Sequence, residues 1–215
     1  MLDRFTWYKQ SSYRWRGDDR VVYIDPWQIT GDPEPADVIF LTHAHYDHYS
    51  PDDLGRLRKE DTQIVAPHDI AAELTGNVQA VAPGDSVEAV GVKAQAVPAY
   101  NIVEERLRSH PKSSNWVGFV LDLDGASYYF SGDTDHLPEL EGVSARVAFV
   151  CVGGETFTMG PQEAADLVKV IGPELAVPNH YAFECGTTSD AEAFKQAAAP
   201  IPVEIMSPEH AFDLE

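Results

Sequence analysis

The chain alternates short apolar runs with polar turns over most of its length. Runs of about four to eight residues rich in β-branched and aromatic side chains are typical of strands, and uninterrupted apolar runs indicate strands buried on both faces. Between residues 5 and 25, three such runs are separated by Ser11-Ser12 and by Gly17-Asp18-Asp19, which predicts an antiparallel meander. Further strands are predicted at residues 38–42, 63–66, 78–81, 87–90, 92–97, 116–123, 127–130, 147–152, 175–177 and 203–206.

Helical periodicity and capping signals lie between these strands. Ser50 followed by Pro51 supplies an N-cap and a first-turn proline, and Gly172-Pro173 ends a stretch with one apolar face. Residues 98–115 instead form a long polar loop, and loops of that length inside compact domains are usually functional. Helices are predicted at residues 51–59, 69–75, 161–171 and 191–198.

Composition constrains the domain count and the partners. The 215 residues, 44% of them hydrophobic, are expected to form one domain over residues 1–215. Acidic residues number 35 against 15 basic ones, and the net charge of −20 disfavours binding to nucleic acids or anionic membranes. One hypothesis is a halophilic source and the other is an ordinary acidic cytosolic protein; unfolding across a salt series separates them.

The first twenty residues contain eight charged side chains and no apolar run, unlike a signal peptide. No later run approaches the length of a membrane span, so none is expected. Cys151 and Cys185 stand alone in the sequence and are expected to be reduced. The protein is therefore predicted to be cytoplasmic.

Candidate chemistry is concentrated in the segment His43-Ala44-His45-Tyr46-Asp47-His48. It holds three of the eight histidines and directly follows the apolar run 38–42. Because strand side chains alternate, His43 and His45 are expected on one face, with Asp47 and His48 in the following turn. The cluster predicts a metal site, with a hydrogen-bonded surface loop as the alternative. The spacing is not that of a zincin, and the lone cysteines exclude a zinc finger.

Other candidate ligands also follow apolar runs. Asn101, Asp133 and His180 each lie within a few residues of the end of a predicted strand. In layered α/β architectures, sites form at the carboxyl ends of strands. These residues are therefore expected to meet the histidine-rich segment at one shared edge.

Three of these segments resemble a known family. His43 to His48, Gly132-Asp133-Thr134 and Pro178-Asn179-His180-Tyr181 are similar, in order, to the motifs of the metallo-β-lactamase superfamily of metal-dependent hydrolases. Ile24-Asp25-Pro26-Trp27 and Pro98-Ala99-Tyr100-Asn101 further resemble the branch of ascorbate-phosphate lactonase-like proteins. The resemblance implies an α+β fold, a four-layer αβ/βα sandwich in which two mixed β-sheets are flanked by helices.

The resemblance also implies two divalent metal ions. Imidazole and carboxylate ligands without thiolate suit zinc, with manganese, iron and nickel as alternatives. A histidine at position 45 is unlike the di-iron oxygen-reducing members, which carry glutamate there. The ligands implied are His43 and His45 for the first ion, Asp47, His48 and His180 for the second, and Asp133 as the bridge.

The chain departs from the family at one ligand. Asn101 stands where the family normally supplies a third histidine to the first ion, and an amide oxygen is a poor zinc ligand beside imidazoles. His110, nine residues further in the same loop, is expected to complete the first site. The alternatives are Asn101, an open position, or His68.

These residues predict a hydrolase. A metal-bound hydroxide would attack a carbonyl carbon or a phosphorus, with Asp47 and Asp133 as candidate catalytic carboxylates. The expected substrate is a small molecule with an ester, lactone or phosphodiester bond. The alternatives are a nuclease acting on RNA or DNA, which the lack of a basic patch disfavours, and a non-catalytic metal-binding protein.

Two further predictions concern the surroundings of the site. Asp25, at the end of a strand, is expected either to orient a ligand histidine or to cap a turn. The tryptophans are expected to be core aromatics, namely Trp7, Trp15, Trp27 and Trp116.

Overall fold

Strands and helices alternate through residues 1–154 and 157–213, which the computed structural model describes. The strands in these ranges are β1 Phe5–Trp7, β2 Tyr13–Arg16, β3 Val21–Ile24, β4 Val38–Phe40, β5 Gln63–Pro67, β6 Val78–Val81, β7 Ser86–Ala89, β8 Val92–Pro98, β9 Val117–Leu123, β10 Ala126–Phe130, β11 Val147–Cys151 and β12 Leu175–Asn179. The α-helices are α1 Pro51–Leu57, α2 His68–Glu73, α3 Pro161–Ile171 and α4 Thr188–Ala197, and short 3-10 helices cover Lys112–Ser114 and Pro138–Gly142.

The strands form two mixed sheets of six strands each. In the first sheet the order is β1-β2-β3-β4-β5-β6, antiparallel from β1 to β3 and parallel from β3 to β6. In the second the order is β12-β11-β10-β9-β8-β7, antiparallel from β7 to β10 and parallel from β10 to β12. The predicted meander and the two mixed sheets are confirmed.

The central strands of the first sheet are apolar on both faces because each face packs against a different layer. Val22 belongs to the core shared with the second sheet, where the rings of Phe40 and Phe119 lie 5.2 Å apart. Its neighbour Tyr23 points the other way, into a cluster with Leu57 of α1. Alternating side chains therefore serve two cores, which explains the uninterrupted apolar runs.

Helix α3 lies against β11 of the second sheet and buries one stripe of its surface. Ala164, Leu167 and Val168 are fully buried on that stripe. The helix ends where predicted, because Gly172 adopts φ 66° and its N–H donates to the Val168 carbonyl at 2.8 Å. With α1 and α2 on the first sheet, the layers form the expected αβ/βα sandwich of the α+β class.

The predicted strand at residues 203–206 is wrong. Val203 makes one isolated parallel bridge to Ala176, and no ladder extends from it in the described part of the chain. The Glu204 N–H donates to the Ala176 carbonyl at 3.0 Å, but Pro178, two residues further along β12, has no N–H with which to continue the ladder. The β-branched residues of this segment indicated a strand, but the proline on the facing strand limits the pairing to one bridge.

The helices begin and end close to the predicted residues, with one difference at α4. That helix begins at Thr188 rather than residue 191, because the Thr187 N–H donates to the Asp190 carboxylate at 2.6 Å and forms a capping box. Helix α1 has the predicted cap, with the Ser50 side chain accepting from the Asp53 N–H. Within the described residues, none of the helices is both long and apolar enough for a membrane crossing.

The carboxyl ends of strands from both sheets meet at one edge. The Val117 N–H donates to the Thr42 carbonyl at 3.1 Å, which joins the loop after β4 to β9. The turn after β10 also lies against the loop after β4, since a Cβ added to Gly132 would be only 3.2 Å from the Thr42 Cβ. Gly132 also adopts φ +59°, which favours glycine. The loop that carries Asp133 is thereby held against the loop that carries His43.

Candidate metal centre

The segment between β4 and α1 is fixed at its beginning by a buried carboxylate. Asp25 accepts from the Thr42 N–H at 2.8 Å and from the Thr42 hydroxyl at 2.6 Å. The same hydroxyl lies 3.0 Å from His43 Nδ1. A turn follows, in which the His48 N–H donates to the His45 carbonyl at 3.0 Å. These bonds point the side chains of the segment toward the strand ends of the second sheet.

The first cluster consists of His43, His45, His110 and Asp133, whose candidate ligand atoms all lie within 4.8 Å of one another. His43 Nε2 is 3.2 Å from His45 Nδ1 and 3.8 Å from Asp133 Oδ2. His110 Nε2 is 3.3 Å from the same Asp133 oxygen. His45 is half-buried and the other three are buried.

The second cluster consists of Asp47, His48 and His180, again within 4.8 Å of one another and all buried. Asp47 Oδ2 lies 3.4 Å from His180 Nε2 and 3.6 Å from His48 Nε2. Asp133 also reaches this cluster, with Oδ2 at 3.1 Å from His180 Nε2 and Oδ1 at 3.4 Å from His48 Nε2. The structure thus brings all seven candidate ligands together around Asp133.

His110 reaches the first cluster because the long loop folds back on itself. The Asn101 N–H donates to the His110 carbonyl at 2.8 Å, and the Asn101 Oδ1 accepts from the His110 N–H at 3.1 Å. His110 Nδ1 lies 2.9 Å from that same oxygen and is placed to donate to it, which leaves Nε2 facing the cluster. Asn101 therefore faces His110, and His68 lies exposed at the start of α2, outside both clusters.

Asp25 makes contacts that fit both of its expected roles, orienting a histidine and capping a turn. Besides accepting from Thr42, its Oδ2 lies 2.7 Å from His48 Nδ1, so the His48 ring is oriented with Nε2 toward Asp133. Burial raises the pKa of Asp25, and the neighbouring His48 opposes that rise. Asp25 adopts φ 43°, a left-handed backbone conformation that side-chain-bearing residues rarely take.

Gln10 is a further residue at the site that is not among the predicted ones. It lies in the β1–β2 turn, is fully buried, and adopts φ 48°. Its Nε2 is 3.4 Å from Asp47 Oδ2, and its carbonyl accepts from the His180 N–H at 3.3 Å. Its Oε1 is buried with no hydrogen-bond partner among the described residues. The available signal was a polar hairpin turn, Lys9 to Ser12, whose burial only the fold reveals.

Trp116 is not a core aromatic, so the prediction is wrong for this residue. It is half-buried at the start of β9, where the ligand loops converge. Its ring centroid lies 5.1 Å from that of His43 and 5.0 Å from that of His45. Its Nε1–H donates to Asp69 at 2.7 Å, which fixes the indole as a wall of the first cluster.

Both cysteines are free thiols, as predicted, but they differ in position. Cys151 is buried in β11, and burial raises the pKa of its thiol. Cys185 is half-buried, with its Sγ 3.2 Å from His180 Nδ1. Cys185 therefore backs the second cluster, a contact that its isolated position in the sequence did not predict.

The donor atoms of the clusters fit a metal ion. His48 Nε2, His110 Nε2, His180 Nε2 and Asp133 Oδ1 are buried without a hydrogen-bond partner in residues 1–154 and 157–213. Leaving a buried polar atom without a hydrogen bond costs free energy, so several such atoms pointing at one place indicate a bound ligand. In a tetrahedral zinc site the ligand atoms lie roughly 3.3–3.6 Å apart. The contacts to Asp133 and Asp47 range from 3.1 to 3.8 Å.

The two clusters differ in protonation. Burial lowers the pKa of His45 and places that of His43 well below its ordinary value. Burial would also lower the pKa values of His48 and His180 in the second cluster, but the charge of Asp133 and of the other nearby carboxylates outweighs that effect. The pKa of His48 is raised to about 10, and that of His180 lies well above its ordinary value. Conversely, the two charged imidazoles hold the pKa of Asp133 well below its usual range against the effect of burial.

Both clusters open into one cavity of about 440 Å³, referred to below as the metal pocket. A cavity of this size accepts a small molecule. Its lining combines ligand residues with aromatic and polar side chains, namely Gln10, His45, Tyr46, Asp47, Ser109, His110, Asp133, Phe157, His180, Glu184 and Cys185.

Comparison with known proteins gives consistent matches over most of the chain. The family described as Beta-lactamase superfamily domain matches residues 4–180. A UPF0173 metal-dependent hydrolase of Thermococcus onnurineus is 34% identical over 197 residues, covering 84% of this chain and 85% of the relative. A crystal structure of a Parabacteroides distasonis protein superposes with a TM-score of 0.86 at 30% identity, covering 95% of this chain and 93% of that one. Igni18, a metallo hydrolase from Ignicoccus hospitalis, superposes with a TM-score of 0.78 at 24% identity, covering 96% and 95%.

Two six-stranded sheets with helices outside them, and a histidine–carboxylate cluster at their shared edge, define the class of metallo-β-lactamase-fold proteins. The chain belongs to the β-lactamase superfamily and is one of its metal-dependent hydrolases.

Proposed function

We propose that the protein is a dinuclear hydrolase that cleaves an ester, lactone or phosphodiester bond of a small molecule. The observation that carries the proposal is the position of Asp133. Its Oδ2 lies 3.3 Å from His110 Nε2 in the first cluster and 3.1 Å from His180 Nε2 in the second. A carboxylate that touches both clusters is suited to bridge two cations.

The proposed ligands follow from which donor atoms converge. Zinc is the preferred ion because imidazole and carboxylate donors at these spacings suit it, with manganese, iron and nickel as alternatives. The proposed sets are His43, His45 and His110 for the first ion, Asp47, His48 and His180 for the second, and Asp133 for both.

Bound divalent ions would lower the pKa of a water molecule to near neutrality and stabilise the negative charge that develops in the transition state. The protein's own groups hold this arrangement in place. Asp47 stays ionised because His48 and His180 lower its pKa to about 2 despite burial. With Oδ2 near His180 and in the lining of the metal pocket, Asp47 is placed to orient the attacking water, as is Asp133. The Trp116 ring lies against His43 and His45 and shields that side of the first cluster from bulk water.

Three broader assignments belong to the same proposal. The motifs around Asp25 and Asn101 favour the ascorbate-phosphate lactonase-like branch. One domain over residues 1–215 agrees with a single site built by both sheets. The free thiols of Cys151 and Cys185 favour a reducing compartment such as the cytoplasm.

The alternatives make different demands on the surface. A nuclease needs cations along a path for the phosphates, and the net charge of −20 opposes that. A non-catalytic metal-binding protein needs no open cavity beside its ions, whereas the metal pocket provides about 440 Å³. Both observations favour the small-molecule hydrolase.

The proposal is tested by metal analysis combined with a substrate panel. The purified protein is loaded with zinc, its metal content is measured, and turnover is followed on esters, lactones, thioesters, phosphodiesters and single-stranded RNA, with and without chelator. We expect two ions per chain and chelator-sensitive cleavage of a small ester, lactone or phosphodiester.

Two outcomes would select an alternative. RNA as the fastest chelator-sensitive substrate would identify a nuclease. Two bound ions with no chelator-sensitive turnover of any substrate would identify a non-catalytic metal-binding protein.

A further inference from the structure

The walls of the metal pocket outside the two clusters have a distinctive chemistry. They comprise Gln10, Tyr46, Ser109, Phe157, Glu184 and Cys185. Glu184 is the carboxylate of this set, and none of the described lining residues is lysine or arginine. The proposed ions would hold the scissile group, so recognition of the rest of the substrate falls to these walls. These side chains offer hydrogen-bond acceptors and aromatic faces, and none of them is a lysine or an arginine.

Basic residues from neighbouring segments are occupied by carboxylates. Lys9, in the β1–β2 turn, is buried and pairs with Asp213 at 2.6 Å. Arg106, in the long loop, pairs with Glu163 at 2.9 Å and also with Asp135.

The two remaining cations of that loop do not alter the walls. Lys112 is exposed and pairs with Glu139 at 3.0 Å. Arg108 is exposed and outside the lining. An anionic group on the substrate would therefore meet no compensating charge from the pocket walls.

Glu184 is held at the mouth of the metal pocket. The Tyr46 hydroxyl donates to Glu184 Oε2 at 3.0 Å, which joins loops 138 residues apart. Tyr46 is itself braced by Trp27, with ring centroids 5.9 Å apart in an edge-to-face arrangement. The carboxylate is thus fixed by a neutral donor, so its charge is available to a ligand.

Two aromatic rings line the same pocket as this carboxylate, and the hydroxyl of one of them, Tyr46, is its hydrogen-bond donor. Tyr46 is 63% exposed and Phe157 is 44% exposed, although rings of this size usually bury more of their surface. Aromatic faces next to a carboxylate are the combination that binds alkylammonium groups, through ring quadrupoles and direct charge attraction. A cleft lined by one sign of charge also focuses its field.

We propose that Glu184 makes the metal pocket selective for substrates that carry an ammonium group near the scissile bond, and that anionic substrates are disfavoured. This inference rests on the proposed function, because it assumes metal ions that hold the scissile group. It narrows the substrate class from any ester, lactone or phosphodiester to a cationic ester or lactone.

The test uses three hydroxamates that share one metal-binding group and differ in charge. They are 3-(trimethylammonio)propanehydroxamic acid, its neutral isostere 4,4-dimethylpentanehydroxamic acid, and the anionic 3-sulfopropanehydroxamic acid. Binding to the zinc-loaded protein is measured by calorimetry at low ionic strength, where screening is weakest. We expect the cation to bind roughly fivefold to tenfold more tightly than the neutral isostere, as one charge near a carboxylate predicts, and the anion to bind more weakly than both.

Variants at the carboxylate distinguish charge from shape. Glu184→Gln keeps an acceptor for Tyr46, and we expect the cation and its neutral isostere then to bind within about twofold of one another. Glu184→Lys is expected to reverse the order. The matched control is Glu60→Lys, which changes the net charge equally at an exposed residue between α1 and β5, outside the pocket lining, and is expected to keep the wild-type order.

The remaining outcomes separate the two proposals. Equal binding of all three hydroxamates by the wild type, or an order that Glu184→Lys leaves unchanged, would overturn the charge selectivity and leave the dinuclear hydrolase standing. No binding of any hydroxamate by the loaded protein would overturn the proposed metal centre and the inference with it.

Discussion

The first and second clusters share Asp133 but are supported by different kinds of neighbour. In the first, His110 donates to the neutral amide oxygen of Asn101, and His43 lies beside the Trp116 ring. In the second, His48 lies 2.7 Å from the buried Asp25 carboxylate. Lowered pKa values keep His43 and His45 of the first cluster neutral near pH 7, whereas raised pKa values keep His48 and His180 charged in the metal-free protein.

This difference shows that nearby carboxylates have two opposing effects on a metal site. Negative charge strengthens the binding of a cation, but it also binds protons at the imidazoles that must hold that cation. The second cluster is thus expected to lose protons when it takes up metal, whereas His43 and His45 of the first cluster are expected to bind without that exchange. Zinc titrations followed by imidazole NMR signals measure this contrast, with His43 reporting on the first cluster and His48 on the second.

The largest effect is expected from Asp133→Asn, because Asp133 is the group that the clusters share. Removing its charge should lower the bound metal from two ions per chain to one or none, and turnover by about 10³-fold or more, since the metals supply several kcal/mol of transition-state stabilisation. Metal analysis and single-turnover kinetics measure both. Asp52→Asn, in the exposed first turn of α1, is the control and should leave both values unchanged.

The second prediction concerns pH. Because the pKa of His48 is about 10 and that of His180 is also raised, metal binding at pH 7 must displace protons, and fewer remain as pH rises. The zinc affinity of the second cluster should therefore increase by about 10- to 100-fold per pH unit between pH 6.5 and 8.5, for one or two displaced protons. The first cluster should change little, since His43 and His45 are already neutral. Parallel slopes in the two clusters would refute the contrast.

The same shift predicts how the metal-free fold responds to pH. His48 has a folded pKa of about 10 against an ordinary value of 6.5, so its charged form favours the native state. That stabilisation is fully present below about pH 6.5 and is lost as pH rises toward 10. Chemical denaturation of chelator-treated protein at pH 6.5 and 9.5 should show the lower free energy of unfolding at the higher pH. Zinc-loaded protein should not show this loss, because the metal replaces the proton.

The third prediction separates the clusters by their supporting residues. Asp25→Asn removes the charge behind His48, and loss of such a partner typically costs 10–100-fold in metal affinity. We expect the larger loss of zinc affinity at the His48 signal, which Asp25 contacts directly, and a smaller one at the His43 signal, which Asp25 reaches through Thr42. The reciprocal variant is Asn101→Ala, which removes the acceptor of His110 and should weaken only the first cluster. Two variants that weakened both clusters equally would indicate a general loss of folding instead.

The smallest effect is expected at Gln10. Gln10→Ala removes the amide beside Asp47, and we expect about tenfold weaker zinc binding at the second cluster alone. Gln28→Ala is a matched control, because Gln28 has the same side chain and a similar φ of 50° against 48°, yet it lies outside both clusters. Equal effects of the two variants on zinc binding would assign the change to the backbone.

Local order in the sequence accounts for much of what could be predicted. The segment from His43 to His48 was recognisable because its ligands are consecutive and directly follow a buried strand. Asp133 and His180 were recognisable because parallel strands bring their carboxyl ends to one edge, wherever they lie in the sequence. His110 followed from ligand chemistry, because an imidazole was needed where Asn101 stands.

Contacts made by tertiary packing could not be predicted. Gln10 meets Asp47 across 37 residues, and the sequence around it reads as an ordinary hairpin turn. Trp116 begins a predicted strand, as a core aromatic would, and its place against His43 depends on how the two sheets meet. Gln10 and Asp25 adopt positive φ angles, a conformation that the sequence indicates only where the residue is glycine. Strain of this kind is set by the surrounding fold.

The candidate ligands are divided between the sheets, and this division couples metal to folding. His43 to His48 follow β4 of the first sheet, whereas Asp133 and His180 follow β10 and β12 of the second. An ion that binds them binds only the folded chain, and by mass action it would stabilise that state by about 2.7 kcal/mol at 100 times its Kd. The amount of folded protein in a cell would then follow the supply of free metal, so that starvation for the ion depletes the enzyme as well as its activity.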